Sequence, residues 1–577
     1  MQDRLDDFVC WARTCFRPDV LNDYIRLSAL SIIMGISIGL ASTIIHEIYV
    51  LLSEITHLMT ELNRSFYLIL PILGITLAFL LVDRYSTTKQ SGGGSHRLLE
   101  AYHFEGGIMT ARDTLFEPLA SAITMGTGGS AGFEGPSLLL GGGIGSLISQ
   151  RLNFNQEDIQ RFLISGAAAG VAAIFKAPFT GIMFALEIPY KRDLKRVSFI
   201  PATMASISAY LVTIAFQGPE TIFPLIPRFQ VPSPFFLIHA FIIGIVTALF
   251  GAIFIRIYDG IGDLRSKYSL DKRIYPILGG LMVGLIGIFI PRVAGVGYDT
   301  LRSIVAGDAS NWSIGFLFIL IFFKMVATSI TLKSGGSGGV FIPTLYIGAC
   351  LGAIYVQLVQ VPDEQILIVA SMASIIASAN KTLLTSVAFV SETAGPSSIV
   401  FTLVAAATSY FISRDISFYE HVQPMDELEE EAEAVHVLYH ISKKGQDHGK
   451  FKQLKIESFM NPCTVILKES MRVKEALNEV HGCRLREYPV IRRNKVIGKI
   501  SLENLLTFPE SKSRLQIGLL PMDHPEVLTP QDTLDDVLHL MMENDEDCVF
   551  IVDDRSKMNL VGVVTESDVM AKMLELI

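Results

Sequence analysis

Charge is scarce in this chain. Only 18% of its 577 residues are Asp, Glu, Lys or Arg, while half are hydrophobic. The mean hydropathy of +0.44 is too high for a soluble globular or a disordered chain. A basic excess is missing as well. The 47 Lys and Arg face 57 Asp and Glu, a net charge of −10, which argues against a protein that grips nucleic acid on a basic face. The six cysteines (Cys10, Cys15, Cys350, Cys463, Cys483, Cys548) contain no Cys-x-x-Cys pair. Neither a disulfide framework nor a zinc site therefore organises the fold. No glycine-rich phosphate loop ending in lysine is present, so ATP hydrolysis is not expected. His46-Glu47 opens like a His-Glu-x-x-His metal motif, but the fifth residue is Val50, so no metal is expected. Asp3, Arg4, Asp6 and Asp7 precede no short apolar core with a cleavage site, so the start does not read as a secretory signal.

What is abundant is apolar sequence interrupted by glycine. Runs such as Leu27–Val50, Tyr67–Val82, Phe235–Ile255, Ile277–Ile290 and Ile314–Ile330 fill residues 26–412. A helix needs roughly 20 apolar residues to cross a bilayer, and several runs reach that length. Others are broken by Gly and Pro, around 126–136 and 334–343. Broken helices persist in a membrane only where protein or a water-filled cavity satisfies the freed backbone groups. The composition changes at His421, where an acidic run (Asp426–Glu433) and a polar stretch lead into alternating segments of a soluble α/β module. The expected organisation is an N-terminal segment (1–25), a membrane domain (26–420), a linker (421–453) and two α/β copies (454–510 and 511–577).

Two internal repeats support this division. Gly128-Gly129-Ser130-Ala131-Gly132-Phe133-Glu134-Gly135-Pro136 superposes without gaps on Gly335-Gly336-Ser337-Gly338-Gly339-Val340-Phe341-Ile342-Pro343, an offset of 207 residues. A second block follows at an offset of 205, where Lys176, Thr180, Phe184 and Glu187 meet Lys381, Thr385, Phe389 and Glu392. Matching interrupted segments in two halves point to a substrate site in a duplicated transporter unit. In the soluble part, Glu457–Leu506 and Gly518–Leu574 each read as helices and strands on one plan, beginning at Met460-Asn461-Pro462 and Met522-Asp523-His524-Pro525.

The duplicated motif has a physical use. Glycines free the backbone to turn, and Pro136 and Pro343 suit the first turn of a helix, where no N–H is needed. Each copy therefore predicts a helix start with bare amides at the positive end of the helix dipole. Two such starts meeting at the membrane midplane form an anion site without a fixed full charge, which holds an anion without trapping it. Glu134 lies inside the first start. Its carboxylate can occupy the same site, and protonation would release it, coupling anion passage to pH. Capping of its own helix, and tight glycine packing turns, are the structural alternatives.

At these residues the chain resembles the CLC family of chloride channels and proton/chloride exchangers. Gly132–Pro136 is similar to the family's Gly-Arg/Lys-Glu-Gly-Pro segment, with Phe133 in place of the basic residue and Glu134 at the gating glutamate. Gly339–Pro343 resembles the Gly-x-Phe-x-Pro segment, which implies that the amides of Val340 and Phe341 face the anion. Tyr419 falls where the family's last membrane helix supplies a hydroxyl. The resemblance covers residues 26–420. It implies an α-helical polytopic fold with an inverted repeat, and a homodimer with one pore per subunit in the lipid bilayer of the cell membrane.

Three departures bear on function. The family's Gly-Ser-Gly-Ile-Pro segment aligns with Gly92-Gly93-Gly94-Ser95-His96, so the serine that contacts the anion becomes Gly93, unless Ser95 or a backbone amide substitutes. Phe133 removes a positive charge beside the path. Ile188 occupies the position of the internal proton-transfer glutamate and carries no proton. Glu187 is adjacent, but adjacent helical residues point about 100° apart, and its repeat partner Glu392 marks it as a structural interhelical residue. Lys324, Lys176 and Lys381 are expected near helix ends, reaching outward.

The soluble copies resemble a CBS-domain pair, which implies a cytoplasmic regulatory module and an adenine nucleotide as the regulator of its cleft. Gly562–Asp568 is similar to the ribose-binding segment, with Thr565 and Asp568 as its polar groups. The same two residues also fit a helix cap. The expected function is chloride transport by a passive, glutamate-gated channel, with a proton-coupled exchanger as the alternative. A CBS-regulated membrane enzyme or cation pathway is more distant, because no catalytic constellation or facing intramembrane carboxylates are apparent. No enzyme activity and no required cofactor are expected.

Overall fold

The computed structural model describes residues 23–88, 92–220, 222–223, 234–268, 271–307, 312–360, 364–425, 451, 453–463, 465–480, 487–502, 505, 516–520, 522, 525–544, 546 and 548–576. The acidic run 426–433, most of the proposed linker and most of segment 1–25 lie outside these residues. The chain divides into two compact units, Met1–Glu427 and Leu428–Ile577.

The first unit is helical and its helices follow a repeated order of lengths. The first set is α1 (Asp23–Leu62), α2 (Phe66–Tyr85), α3 (Gly94–Phe104), α4 (Ala111–Gly126), α5 (Glu134–Arg151), α6 (Gln156–Phe175), α7 (Pro178–Glu187) and α8 (Phe199–Gln217). The second is α9 (Pro234–Lys267), α10 (Ile274–Phe289), α11 (Tyr298–Val305), α12 (Ile314–Ser334), α13 (Phe341–Val359), α14 (Glu364–Asn380), α15 (Leu383–Ala394) and α16 (Ile399–Ile412). Both sets open with a very long helix, carry a short one third and end with a short one before the last.

Seven helices among the described residues are long and apolar enough to cross a membrane. Their outer faces expose large apolar side chains, such as Ile44, Leu77, Leu249 and Phe322, that only lipid or another apolar surface would solvate. Their inner faces carry small residues. Gly141 of α5 lies against the Gly166 carbonyl of α6, so a side chain there would force the helices apart. Small residues permit this close approach where the hydrophobic effect gives helices no reason to associate.

The second repeat block forms a reciprocal cap. Glu187, at the end of α7, accepts from the Leu384 and Thr385 amides (both 2.8 Å) and from the Thr385 hydroxyl (2.6 Å) at the start of α15. Glu392 of α15 accepts from the Phe179 and Thr180 amides (3.2 and 2.8 Å) and the Thr180 hydroxyl (2.8 Å) at the start of α7. Each helix thus satisfies amides that the other leaves unpaired. Phe184 and Phe389 both pack on Phe341, with ring centroids 5.4 and 5.2 Å apart.

Lys324 departs from the expected place near a helix end. Lys324 sits mid-helix in α12 and is fully buried. It donates to the carbonyls of Val293, Gly295 and Val296 at 3.2, 2.9 and 3.2 Å, and lies over the Tyr346 ring. The helix continues ten residues beyond it to Ser334, so the side chain cannot reach an end. Lys381 is also buried, bonded to the Tyr410 carbonyl and the Ser413 hydroxyl (3.2 and 2.6 Å). Lys176 and Lys381 both end their helices, directly after Phe175 and Asn380, each in a left-handed conformation (φ 51° and 58°).

The second unit holds two three-stranded sheets. One contains β1 (Leu467–Lys468), β2 (Glu487–Arg492) and β3 (Lys495–Ser501), with helix α17 (Val473–Val480) after β1. The other contains β4 (Val527–Leu528), β5 (Cys548–Val552) and β6 (Leu560–Thr565), with α18 (Leu534–Asn544) and α19 (Glu566–Leu576). In each sheet the first pairing is parallel and the second antiparallel. The helix expected to lead each copy is a single 3-10 turn, Ile456–Ser458 or Ile517–Leu519. These turns cross over. Ile456 packs with Leu534, Val549 and Val564 of the second copy, and Ile517 with Val490 and Ile500 of the first. Lys499 of β3 joins the copies, bonding Glu487 at 2.8 Å and Glu546 beyond α18. Burial pulls its ammonium down, but the two carboxylates hold it above the usual lysine value.

Glu392→Ala strands two amides at the start of α7. It should lower stability by about 1–3 kcal/mol, read as a lower midpoint of thermal unfolding in detergent. An unshifted midpoint would show that the reciprocal cap contributes nothing.

Candidate functional site

The two Gly/Pro motifs meet. The Gly132 amide donates to the Gly339 carbonyl at 2.9 Å, and the Gly339 amide returns a bond to the Gly132 carbonyl at 2.8 Å. The bridge is antiparallel, so corresponding segments run in opposite directions where they touch, as an inverted repeat requires. From this point α5 begins at Glu134 and α13 at Phe341. A third helix start joins them. Gly93 bridges Gly338 and precedes α3, and the Gly338 amide donates to the Gly92 carbonyl at 3.2 Å. Gly94 lies against the Gly135 carbonyl with no room for a side chain.

The Glu134 carboxylate is fully buried in this convergence. One oxygen accepts from the Phe341 amide, and the Ile342 amide also acts on it. The other oxygen has no hydrogen-bond partner among the described residues. A side chain at either Gly132 or Gly339 would collide with the carboxylate. Helix amides that would otherwise receive an anion thus receive the chain's own. Of the two amides expected to face an anion, that of Phe341 meets the carboxylate. Val340 is the N-cap of α13, its carbonyl accepting from the Thr344 amide at 2.9 Å.

Ser95 and Tyr419 flank the same point. The Ser95 hydroxyl is buried without a hydrogen-bond partner and faces Gly135. Tyr419 is 4% exposed and has Ser95, Glu134 and Tyr258 as its electrostatic neighbours. It lies in a turn after α16 rather than in a helix. That turn is held by Phe418 donating to the Ala379 carbonyl (3.0 Å) and Tyr419 to the Ser417 hydroxyl (3.0 Å). Gly93 offers no hydroxyl, but open space surrounds the position where its side chain would begin. Ile188 is fully buried, and its carbonyl accepts from the Gln423 amide group at 2.8 Å.

A cavity of about 810 Å³ lies on one side of Phe133. The Phe133 ring meets Tyr49 edge-on, with centroids 4.7 Å apart. Lys176, Arg292 and Arg302 line the cavity together with an equal number of acids, Glu47, Glu220 and Asp299. None of these marked a vestibule in the sequence, because they are scattered across five separate segments. Among the described residues no group of His, Cys, Asp and Glu could hold a metal ion.

In the second unit, Thr565 and Asp568 form a reciprocal cap. The Asp568 carboxylate accepts from the Thr565 amide and hydroxyl (3.0 and 2.7 Å), and the Asp568 amide donates to the Thr565 hydroxyl (3.3 Å). Its other oxygen accepts from the Asn461 side chain at 2.7 Å. Both oxygens are therefore already engaged.

Comparison with known proteins agrees with this geometry. A family model described as voltage gated chloride channel matches residues 74–414, and the CBS domain model matches 456–511 and 517–575. A protein named H(+)/Cl(-) exchange transporter ClcA, from Vibrio parahaemolyticus, is 30% identical over 236 residues, 40% of this chain and 49% of that one. A protein named voltage-gated ClC-type chloride channel ClcB, from Escherichia coli, is 27% identical over 377 residues, 63% of this chain and 88% of its own. The solved structure of a eukaryotic CLC transporter shares the fold, with a TM-score of 0.61 at 19% identity over 94% of this chain and 98% of that one.

Gly93→Ser places a hydroxyl in open space at the start of α3. It should raise the preference for chloride over nitrate severalfold in liposome flux. An unaltered ratio would show that this residue does not line the path.

Proposed function

This chain belongs to the voltage gated chloride channel family, and we propose that it passes chloride across a membrane passively, with the Glu134 carboxylate as the gate. One observation carries this proposal: Glu134 occupies the junction of paired helix starts and accepts from the Phe341 amide. A carboxylate and a halide compete there for the same donors. Protonation of Glu134 weakens its hold on the amides and admits the anion. Ser95 and Tyr419 supply hydroxyls to the bound ion, and the amides around Gly132, Phe133, Gly339, Val340 and Phe341 supply dipoles. Ile188 supports passive movement, since an apolar side chain stands where a proton carrier would be needed. A proton-coupled exchanger is the second reading, favoured by the identity to a protein named as an exchange transporter.

The proposed protein is a homodimer in the cell membrane with one path per subunit and the CBS pair on the cytoplasmic side. The exposed apolar faces of α8 (Phe199, Ile207, Leu211) and α16 (Val400, Leu403) support burial against lipid or a second copy. An adenine nucleotide is the proposed regulator of the CBS cleft. Each Asp568 oxygen already accepts a hydrogen bond, so a ribose hydroxyl would share the carboxylate with Asn461 and Thr565.

Glu134→Gln should remove the pH response of chloride flux from one side of the membrane, because an amide cannot titrate. Flux in proteoliposomes that keeps its wild-type pH dependence would remove the gating role. A chloride gradient should drive no uphill proton movement in the wild type, and robust proton uptake would replace the channel by the exchanger.

A further inference from the structure

A second buried carboxyl stands close to the junction. Glu117 lies in α4 and is only 3% exposed. It accepts a long hydrogen bond from the Thr88 hydroxyl at 3.5 Å. The groups that act on it are Asp113 of its own helix, Arg97 of α3, and the hydroxyls of Ser86 and Thr88 from the segment after α2. None of them neutralises it by direct contact. Arg97 is committed elsewhere, bonding Glu105 at 2.8 and 2.6 Å. Asp113 is held by the Ser86 hydroxyl (2.6 Å), the Thr87 amide (2.7 Å) and the Thr110 hydroxyl (2.8 Å), a helix-start cap. Among the described residues no cation lies within ion-pair distance of Glu117.

Its surroundings lead to the anion site. Ser337 donates to the Glu117 carbonyl at 3.3 Å and shares a hydrogen bond with Ser121, one turn further along α4, at 2.8 Å. Ser337 immediately precedes Gly338 and Gly339, which build the junction with Gly93 and Gly132. Thr88, on its other side, belongs to the segment that leads to Gly93. The Glu117 backbone is thus bonded to the strand that leads into Gly338 and Gly339, and its carboxyl meets the segment that precedes Gly93 in the sequence. The vestibule is reached from the opposite end of the same helix, at Gly126, about 13 Å away at 1.5 Å per residue.

We propose that Glu117 is a second proton-operated gate of the path, placed behind the amide junction on the side away from the vestibule. The proposal rests on the junction being the anion site. Ionised, Glu117 opposes an anion there by charge alone. Protonated, it leaves the helix amides to act unopposed. A unit charge on the order of 10 Å from an ion changes its occupancy about tenfold or more at an effective dielectric of ~20. The two carboxyls then divide the work: Glu134 competes for the amides by contact, and Glu117 sets the field they must work in. Each takes its proton from a different side of the membrane.

The test is chloride flux through the full-length protein in liposomes, with pH changed on one side at a time. Wild type should respond to both sides. Glu117→Gln should lose its response to one side, a change of about tenfold, and keep the other, whereas Glu134→Gln should show the converse. A Glu117→Gln protein that responds as wild type on both sides overturns the proposal. Should that variant carry no flux, Glu117→Asp decides: a retained response on both sides supports a titrating carboxyl, and a lost one overturns it. Absence of chloride flux in the wild type would instead sink the transport reading itself.

Discussion

The pair of backbone hydrogen bonds between Gly132 and Gly339 is the constraint from which the membrane unit is built. It brings two polar peptide segments into the middle of an apolar protein, where no water is at hand to satisfy them. Each segment can stay there only because the other supplies its missing partner. Once they are locked together, two helices must leave in opposite directions, and their first amides must point at a common place. Glutamate, hydroxyl and aromatic groups then gather around an electrostatic feature that the backbone has already made. The cross-capping of Glu187 and Glu392 applies the same logic at a second level, with side chains answering for amides.

Much of this was legible in the sequence because glycine and proline are informative about backbone. The duplicated Gly-x-x-x-Pro pattern located the junction, and the register of the two copies placed Glu134 opposite Phe341. Glu187 and Glu392 were recognisable as structural because they recur together. Side-chain destinations were harder to read. Lys324 looked like the end of an apolar run, but the helix outlasts the run, and the lysine is held by three carbonyls that are remote in sequence. Glu117 went unnoticed because a single acid in a moderately polar helix looks exposed until the helix is packed on its neighbours.

The loss of a cation at Phe133 also looks different once folded. In the sequence it reads as a missing attraction for anions. In the folded unit, Phe133 is a buried aromatic wall, and cations from distant segments stand around the cavity beside it. Charge beside Phe133 is thus distributed over several elements, with cations and acids in equal number.

The crossed lead-ins of the CBS pair have a consequence for how that unit comes into being. Ile456 completes the hydrophobic centre of the later copy, and Ile517 completes that of the earlier one. During synthesis, the first half therefore waits with an open apolar seam until the chain beyond it emerges from the ribosome. Neither half is a self-sufficient building block. The two are a single cooperative object whose halves were duplicated and then made mutually dependent.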